Sequence, residues 1–522
     1  MLKLLVSLYL VAIAVYAQNL VVETVQGKLG GKIHEEFSNI RAFLGVRFAE
    51  SPLRWKPTVS LPNQRVWEEI KDATKPGSAC TQPYFDLFKI REEDTSEDCL
   101  FLNIYAPLNA TNLPVMFYVH GGAFWGGAGH QYDGSLLASS GVVVVTINYR
   151  LGVLGFFGDS FLQTQFGTTG NWGFLDQIEA LKYVNQNIAA FGGDPSQVTI
   201  FGQSAGGQSI LMHLVSDLTD TKLFKRAIIQ SGNINPELSL SKFQANVFAK
   251  ALRAKMGCLT FDCLLQQDAL SLVKGAMSDK LYAIGMYPVI DGAAFKTSIS
   301  DSLKTGSFKV DKNIIIGNNK DEFALFLCMR LKEENFNDLH LQGLLLALFG
   351  THAPAIKRLY PRERYSSAMR NLIAITSDFI FHCGTRAAAN SLEVHGADVF
   401  LYNFAANMTF APCWQSSHII ELMFEFPSIR SDFAPKNYRP TKGEQYVADS
   451  MVSYWTNFAK TGNPNGNGVP HWDRYTLDRD NDLNFYWNIT SRYNTTKDVC
   501  DYWDKQPGLL TIKAILAWLG LV

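Results

Sequence analysis

The segment Gly202-Gln203-Ser204-Ala205-Gly206 follows an apolar run, Val198–Gly202, and leads into small residues able to begin a helix. A serine on a tight strand-to-helix turn projects its hydroxyl above a sheet. Only residues without bulk two positions to either side let the chain pack that closely. The helix N-terminus beneath the hydroxyl favours developing negative charge. The chemistry indicated is nucleophilic attack by Ser204, with a chance glycine-rich turn as the plain alternative. A second stretch, FYVHGGAFWGG from Phe117, sets an apolar run before His120-Gly121-Gly122-Ala123-Phe124. Glycines there free backbone amides to face an oxyanion, and losing one such donor typically costs about 10²–10³ in rate. Alone, this stretch also reads as a flexible turn; with the first, it points to acyl transfer.

The elements that must position these groups are written as short β-branched or aromatic runs: Val115–His120, Val142–Tyr149, Val198–Gly202, Ala227–Ser231, Asn313–Gly317 and Val399–Phe404. Near-continuous apolar runs imply strands buried on both faces, as in a parallel sheet covered by helices. Between two of them, Asp176–Ala190 carries Ile178, Leu181, Val184 and Ile188 at helical spacing. The pattern is α/β: a large, mostly parallel central sheet with helices on both faces. No internal repeat or long linker divides the chain, and GNPNGNG at Gly462–Gly468 reads as a surface turn. Residues 18–522 are therefore expected to form one domain.

With 47 Lys+Arg against 48 Asp+Glu in 522 residues, the net charge of −1 gives no general attraction to nucleic acid or anionic membrane. A charged fraction of 18% with 12% aromatics argues against long disorder. Residues 1–17 read as a signal peptide, with Lys3 ahead of an apolar run from Leu4 to Tyr16 and small residues before Gln18. That places the protein outside the cell or in an endomembrane lumen. Sequons at Asn109, Asn407, Asn488 and Asn494 then become glycan acceptors, and eight cysteines can form disulfides. No other segment reads as membrane-spanning, and the terminal run Leu509–Val522 reads as an amphipathic helix. No cysteine or histidine spacing suits a metal site.

The blocks GNWGFLDQIEALKYVNQNIAAFGGDPSQVTIFGQSAGG (Gly170–Gly207) and SEDCLFLNIYAP (Ser96–Pro107) resemble signatures of the type-B carboxylesterase and cholinesterase family of α/β-hydrolases. Similar blocks are AFLGVRFAESPLRW, NYRLGVLGF, AIIQSGN and PVIDG, so the resemblance covers nearly the whole chain from residue 18. It implies Ser204 as nucleophile, with Gly122, Ala123 and Ala205 giving oxyanion-hole amides and Gly121 shaping the loop. In NIIIGNNKDEF it implies Glu322 as the triad acid, with Asp321 the neighbouring competitor. It implies His418 as base, through an H-x-x-E-x-x-F pattern with Glu421 and Phe424. Two departures stand out. Relatives usually carry glycine around that histidine, whereas Ser416, Ser417 and Ile419 surround it here, and Gln203 replaces the common Glu beside the nucleophile. Ser231 resembles a buried supporting serine, or is a core hydroxyl.

The same resemblance implies disulfides Cys80–Cys99, Cys258–Cys263 and Cys383–Cys500. Cys328 and Cys413 remain as a fourth pair or as two free thiols. It also implies ion pairs of Arg54 with Glu97 and Arg150 with Asp176. The Cys80–Cys99 loop rims the gorge in this family. Here it has no tryptophan to hold a quaternary ammonium, which argues against a choline ester, and Tyr84, Phe85 and Phe88 would form an apolar rim. The expected activity is serine carboxylic-ester hydrolysis on a small molecule through an acyl-enzyme on Ser204, with no cofactor. Two rivals stay open: a lipase of the same fold, and a silent adhesion or storage protein on this scaffold.

Overall fold

A computed structural model describes residues 20–232, 234, 239–278, 285–309 and 311–506. The expected signal peptide over residues 1–17 and the helix expected over Leu509–Val522 lie outside these residues. The fold is organised by one eleven-stranded sheet. Its strands are β1 (Lys32–Ile33), β2 (Ile40–Arg47), β3 (Phe101–Pro107), β4 (Leu113–Val119), β5 (Val143–Ile147) and β6 (Gly193–Gln203), followed by β7 (Arg226–Gln230), β8 (Asn313–Asn319), β9 (Asp398–Phe404), β10 (Asn481–Phe485) and β11 (Thr490–Tyr493). Across the sheet the order is β11-β10-β9-β8-β7-β6-β4-β5-β3-β2-β1.

Strands β4 to β10 run parallel, whereas β1 to β3 and β11 add antiparallel edges, so the sheet is mixed. Each of the six apolar runs read from sequence overlaps one of the parallel strands. Their density of Val and Ile is what a strand covered on both faces requires; β5 and β7 are buried at every residue. The antiparallel edges gave weaker signals. In β11, TSRY has no buried residue, and its strand character comes from pairing with β10.

Helix α1 (Trp172–Asn187) begins four residues before the sequence pattern and continues into a 3₁₀ turn, Ile188–Phe191. Ile178, Leu181, Val184 and Ile188 are all buried. Asp176 is buried as well, because Arg150 forks onto both its oxygens at 2.8 Å. Arg54 grips Glu97 in the same bidentate way, at 2.6 and 2.8 Å. Helix α2 (Ala205–Val215) follows β6, helix α3 (Ala324–Arg330) follows β8, and helix α4 (Lys442–Thr461) ends at Gly462 in the left-handed region. Past Gly462, residues 466–468 are exposed.

One run, Asp338–Leu359, is long and apolar enough to cross a membrane by length and composition alone. Its Leu341, Leu344, Leu345, Leu348 and Phe349 pack instead into a core with Phe323, Leu327 and Trp503. The eight cysteines pair as Cys80–Cys99, Cys258–Cys263, Cys328–Cys413 and Cys383–Cys500. Sequon residues Asn109, Asn488 and Asn494 are exposed, while Asn407 is partly buried.

Candidate active site

The turn that carries Ser204 is built by close contact between strand ends. Ser204 caps α2 with φ 58° and ψ −123°, a strained conformation costing about 1–3 kcal/mol for a non-glycine residue. Its amide donates to the Gln230 carbonyl at 2.8 Å, which ties the turn to β7. The flanking glycines are required sterically. A Cβ on Gly206 would lie 2.0 Å from the Val119 carbonyl oxygen, and one on Gly202 would lie 2.6 Å from the Gly206 carbonyl carbon.

The loop after β4 lies against this turn. Gly122, Ala123 and Phe124 take φ values of 107°, 53° and 66° in succession. Their local turn closes through the Trp125 and Gly126 amides onto the Gly122 carbonyl, at 2.9 and 3.0 Å. The Gly122 and Ala123 amides stay outside those two bonds, and both residues line the cavity that Ser204 enters. Gly121 permits the approach, since a Cβ there would sit 2.7 Å from the Gln203 carbonyl oxygen. His120 is buried, stacks on Tyr149 and bonds the Gly121 carbonyl through Nδ1 at 2.7 Å. Burial pushes its pKa down to about 4, which suits a neutral structural ring.

Glu322 and His418 meet from segments 96 residues apart. His418 Nδ1 lies 2.5 Å from Glu322 Oε2, and the His418 amide donates to the Glu322 carbonyl at 3.1 Å. Glu322 is fully buried, and its Oε1 accepts from Ser231 Oγ at 2.5 Å and the Asn319 amide at 2.9 Å. Burial alone would raise this carboxyl. The His418 ring opposite and the bonds from His418, Ser231 and Asn319 outweigh burial and hold it below the ordinary range. Asp321 faces elsewhere, accepting from Ser416 Oγ at 2.8 Å. Ser231 thus holds the Glu322 carboxylate in place.

The two departures from the family pattern have structural consequences. Ile419 takes φ 75°, the left-handed conformation that glycine would supply freely, and it does so beside His418. Gln203 places its amide nitrogen 3.3 Å from His418 Nε2. As donor, that amide occupies the lone pair of a ring whose Nδ1–H points at Glu322. Behind His418 lie two more buried carboxyls. Glu421, held by the Asn319 side-chain amide, is pushed up to about 7 by burial and by the charge of Glu322. Glu425, bonded by Gln230 at 2.6 Å, is raised well above its usual range by burial and by Glu421.

Ser204 and His418 open into a cavity of about 100 Å³. Of the expected rim, Phe88 lines it and Phe85 stands behind, packed on Trp125 with ring centroids 4.3 Å apart. Tyr84 does not line it: the side chain is 49% exposed, because the loop turns it outward while Leu87 faces in. Sequence reading missed Trp125, Phe326, Ile419 and Phe433 as walls. Trp125 sits five residues after His120, so the gorge has a tryptophan, supplied by the glycine loop and not by the Cys80–Cys99 loop. Lys89 crosses the mouth, donating to the Asp432 carbonyl with its ammonium 5.1 Å from the Phe433 ring centroid.

Comparison with known proteins gives the family. The model of the carboxylesterase family matches residues 18–503. The chain is 33% identical over 490 residues to human cocaine esterase, covering 85% of this chain and 84% of that protein. It is 33% identical over 511 residues to rabbit liver carboxylesterase 1, covering 87% and 88%. Among solved structures, a Geobacillus stearothermophilus carboxylesterase superposes with a TM-score of 0.80 at 31% identity, covering 93% of this chain and all of that one. A PNB esterase gives 0.78 at 32% identity, with 93% and 100% covered. With a strand-turn-helix serine, a glycine loop beside it and an α/β sheet beneath, the chain belongs to the carboxylesterase family and is a carboxylic-ester hydrolase.

Proposed function

We propose that the protein cleaves small carboxylic esters through an acyl-enzyme on Ser204. His418 Nε2 takes the serine proton as Oγ attacks the carbonyl carbon, then returns it to the departing alcohol. Water repeats the sequence on the acyl-enzyme and releases the acid. Glu322 holds the ring with Nδ1–H inward and stabilises the imidazolium. The amides of Gly122, Ala123 and Ala205 bind the oxyanion. The observation carrying this reading is the 2.5 Å contact between Glu322 and His418 beside the cavity that Ser204 enters. Attack requires His418 Nε2 to exchange its Gln203 contact for the serine hydroxyl, a small local step of the kind substrate binding induces.

One observation favours a lipase-like variant of this reading. Lys89, from the Cys80–Cys99 loop, reaches the opposite wall at Asp432 and Phe433, so the loop straps the gorge mouth as a lid would. Residues 18–522 acting as one domain, export directed by residues 1–17 and glycans on the exposed sequons complete the proposal. Four disulfides support an oxidising compartment.

The test is hydrolysis of aryl esters of increasing acyl length by the purified protein and by Ser204→Ala. The variant should lose about 10⁶-fold in kcat. Turnover surviving the substitution overturns the mechanism, absence of turnover in both proteins supports the silent scaffold, and a rise in kcat/KM with chain length supports the lid.

A further inference from the structure

A second histidine–carboxylate pair lies directly behind the acid. Residues Asp378–His382 form one π-helical turn, closed by the Cys383 amide on the Asp378 carbonyl, a departure from α geometry of the sort found at functional sites. Within it, His382 Nδ1 is 2.6 Å from Asp378 Oδ1, and His382 Nε2 is 2.7 Å from the Asn319 carbonyl oxygen. A carboxylate and a backbone carbonyl only accept. With Asp378 ionised, both ring nitrogens carry hydrogens, the arrangement of an imidazolium.

The pair is anchored from behind. Tyr360 donates its hydroxyl to Asp378 Oδ2 at 2.9 Å, and Trp503 donates its indole N–H to Tyr360 at 2.9 Å. The His382 side chain is 12% exposed, so solvent screens its charge little. Burial opposes that charge. The bond and charge of Asp378, the Asn319 carbonyl and the charge of Glu322 overcome burial and raise the ring's pKa. These are the groups facing it: Asp378 from its own turn, and Glu322 with Asn319 from the end of β8.

Asn319 makes this pair relevant to catalysis. The same residue whose carbonyl accepts from His382 gives its amide to Glu322 Oε1 and its side chain to the Ser417 carbonyl, next to His418. We propose that His382 is a positioning residue for the hydrolytic site: doubly bonded between Asp378 and the Asn319 carbonyl, it fixes the strand end that binds Glu322 and sets a positive charge behind that carboxylate. This rests on Glu322 and His418 acting as proposed above.

The sign of the effect follows from Coulomb's law. Without the cation behind it, the Glu322 charge is less compensated and favours the imidazolium of His418 more strongly. His418 then loses its free Nε2 lone pair at a higher pH. In His382→Gln, the acid limb of the kcat/KM profile should move up by about 0.5–1 pH unit, with about a tenfold loss on the plateau. Asp378→Asn keeps the shape and the Tyr360 contact but removes the partner that keeps His382 charged. It should shift the limb in the same direction, and the double variant should shift no further than either single one. A purely structural role would lower the plateau and leave the limb where it was.

The experiment is the pH dependence of kcat/KM for the unmodified enzyme, both single variants and the double variant, with ¹³C-histidine NMR of the unmodified enzyme. A shared, non-additive upward shift is expected, along with a buried imidazolium signal that persists above the pH range in which an ordinary histidine titrates. Unshifted limbs, additive shifts or a His382 ring that is neutral above the ordinary histidine range overturn the inference, and the last needs no variant to fold. Hydrolysis by Ser204→Ala would instead overturn the catalytic reading itself, so the two failures are separable.

Discussion

The two halves of the site are built in opposite ways. On the side proposed to supply the nucleophile, Ser204, Gly122 and Ala123 stand on turns set by neighbouring glycines, and backbone contacts between parallel strand ends and within the loop do most of the shaping. On the acid–base side, Glu322 and His418 come from loops far apart in sequence. Side chains bring them together: Ser231, Asn319, His382 and the Cys328–Cys413 bridge. The first half is steric and built from backbone, while the second is electrostatic and built from side chains. A change on the first side should be all-or-none, and one on the second should be graded and pH-dependent.

The sharpest way to test that contrast is Gly206→Val. A Cβ there meets the Val119 carbonyl, so the turn cannot close, and aryl-ester hydrolysis should fall by at least about 10³-fold as the serine and the Ala205 amide both move. Near-normal turnover would show that the nucleophile side is not sterically fixed. Next, Cys328→Ala with Cys413→Ala opens a loop of 85 residues and should cost about 4 kcal/mol in denaturant unfolding. Removing Cys258–Cys263, which spans only 5 residues, should cost less; equal losses would remove the special role of the bridge beside the triad.

A graded effect is expected at Glu421. Its folded pKa is raised from 4.5 to about 7, so the folded protein holds this proton more tightly than the unfolded chain does. The resulting stabilisation is complete below the unfolded value and is lost as pH rises through about 7. Glu421→Gln should flatten the stability profile over that window, as read by urea melts; an unchanged slope would mean that Glu421 is not the group responsible. The smallest effect is expected for Gln203→Glu, which takes the amide donor from His418 Nε2 and sets a carboxylate there. The acid limb of kcat/KM should rise by about one pH unit, with less than a tenfold change in kcat. A large loss of kcat with no shift would place Gln203 among the steric supports instead.

Legibility in the sequence follows the same division. The parallel strands were readable because a strand covered on both faces must be apolar along its length, as in Val143–Ile147. The elbow was readable because glycine at positions 202 and 206 is a direct imprint of backbone contact. The edge strand Thr490–Tyr493 was not, since pairing with β10 and not burial defines it. Tyr84 and Phe85 were assigned to the gorge with Phe88, but a loop's sequence does not say which side chain turns inward. Trp125 sits inside the glycine stretch from Phe117 and His382 in no motif, yet neither showed its role, which depends on what the fold sets opposite it.

The sequence by itself determined the class of chemistry, the strand-turn-helix at Ser204 and the parallel centre of the sheet. The turn is marked by glycines wherever strand ends touch, and each parallel strand by burial along its whole length. Only the tertiary structure decided how His418 is held. Ile419 is driven into a left-handed conformation, Gln203 reaches His418, and Asn319 links His382 to Glu322. Those contacts are directional bonds between distant segments, and such bonds have no period or spacing for a sequence to display.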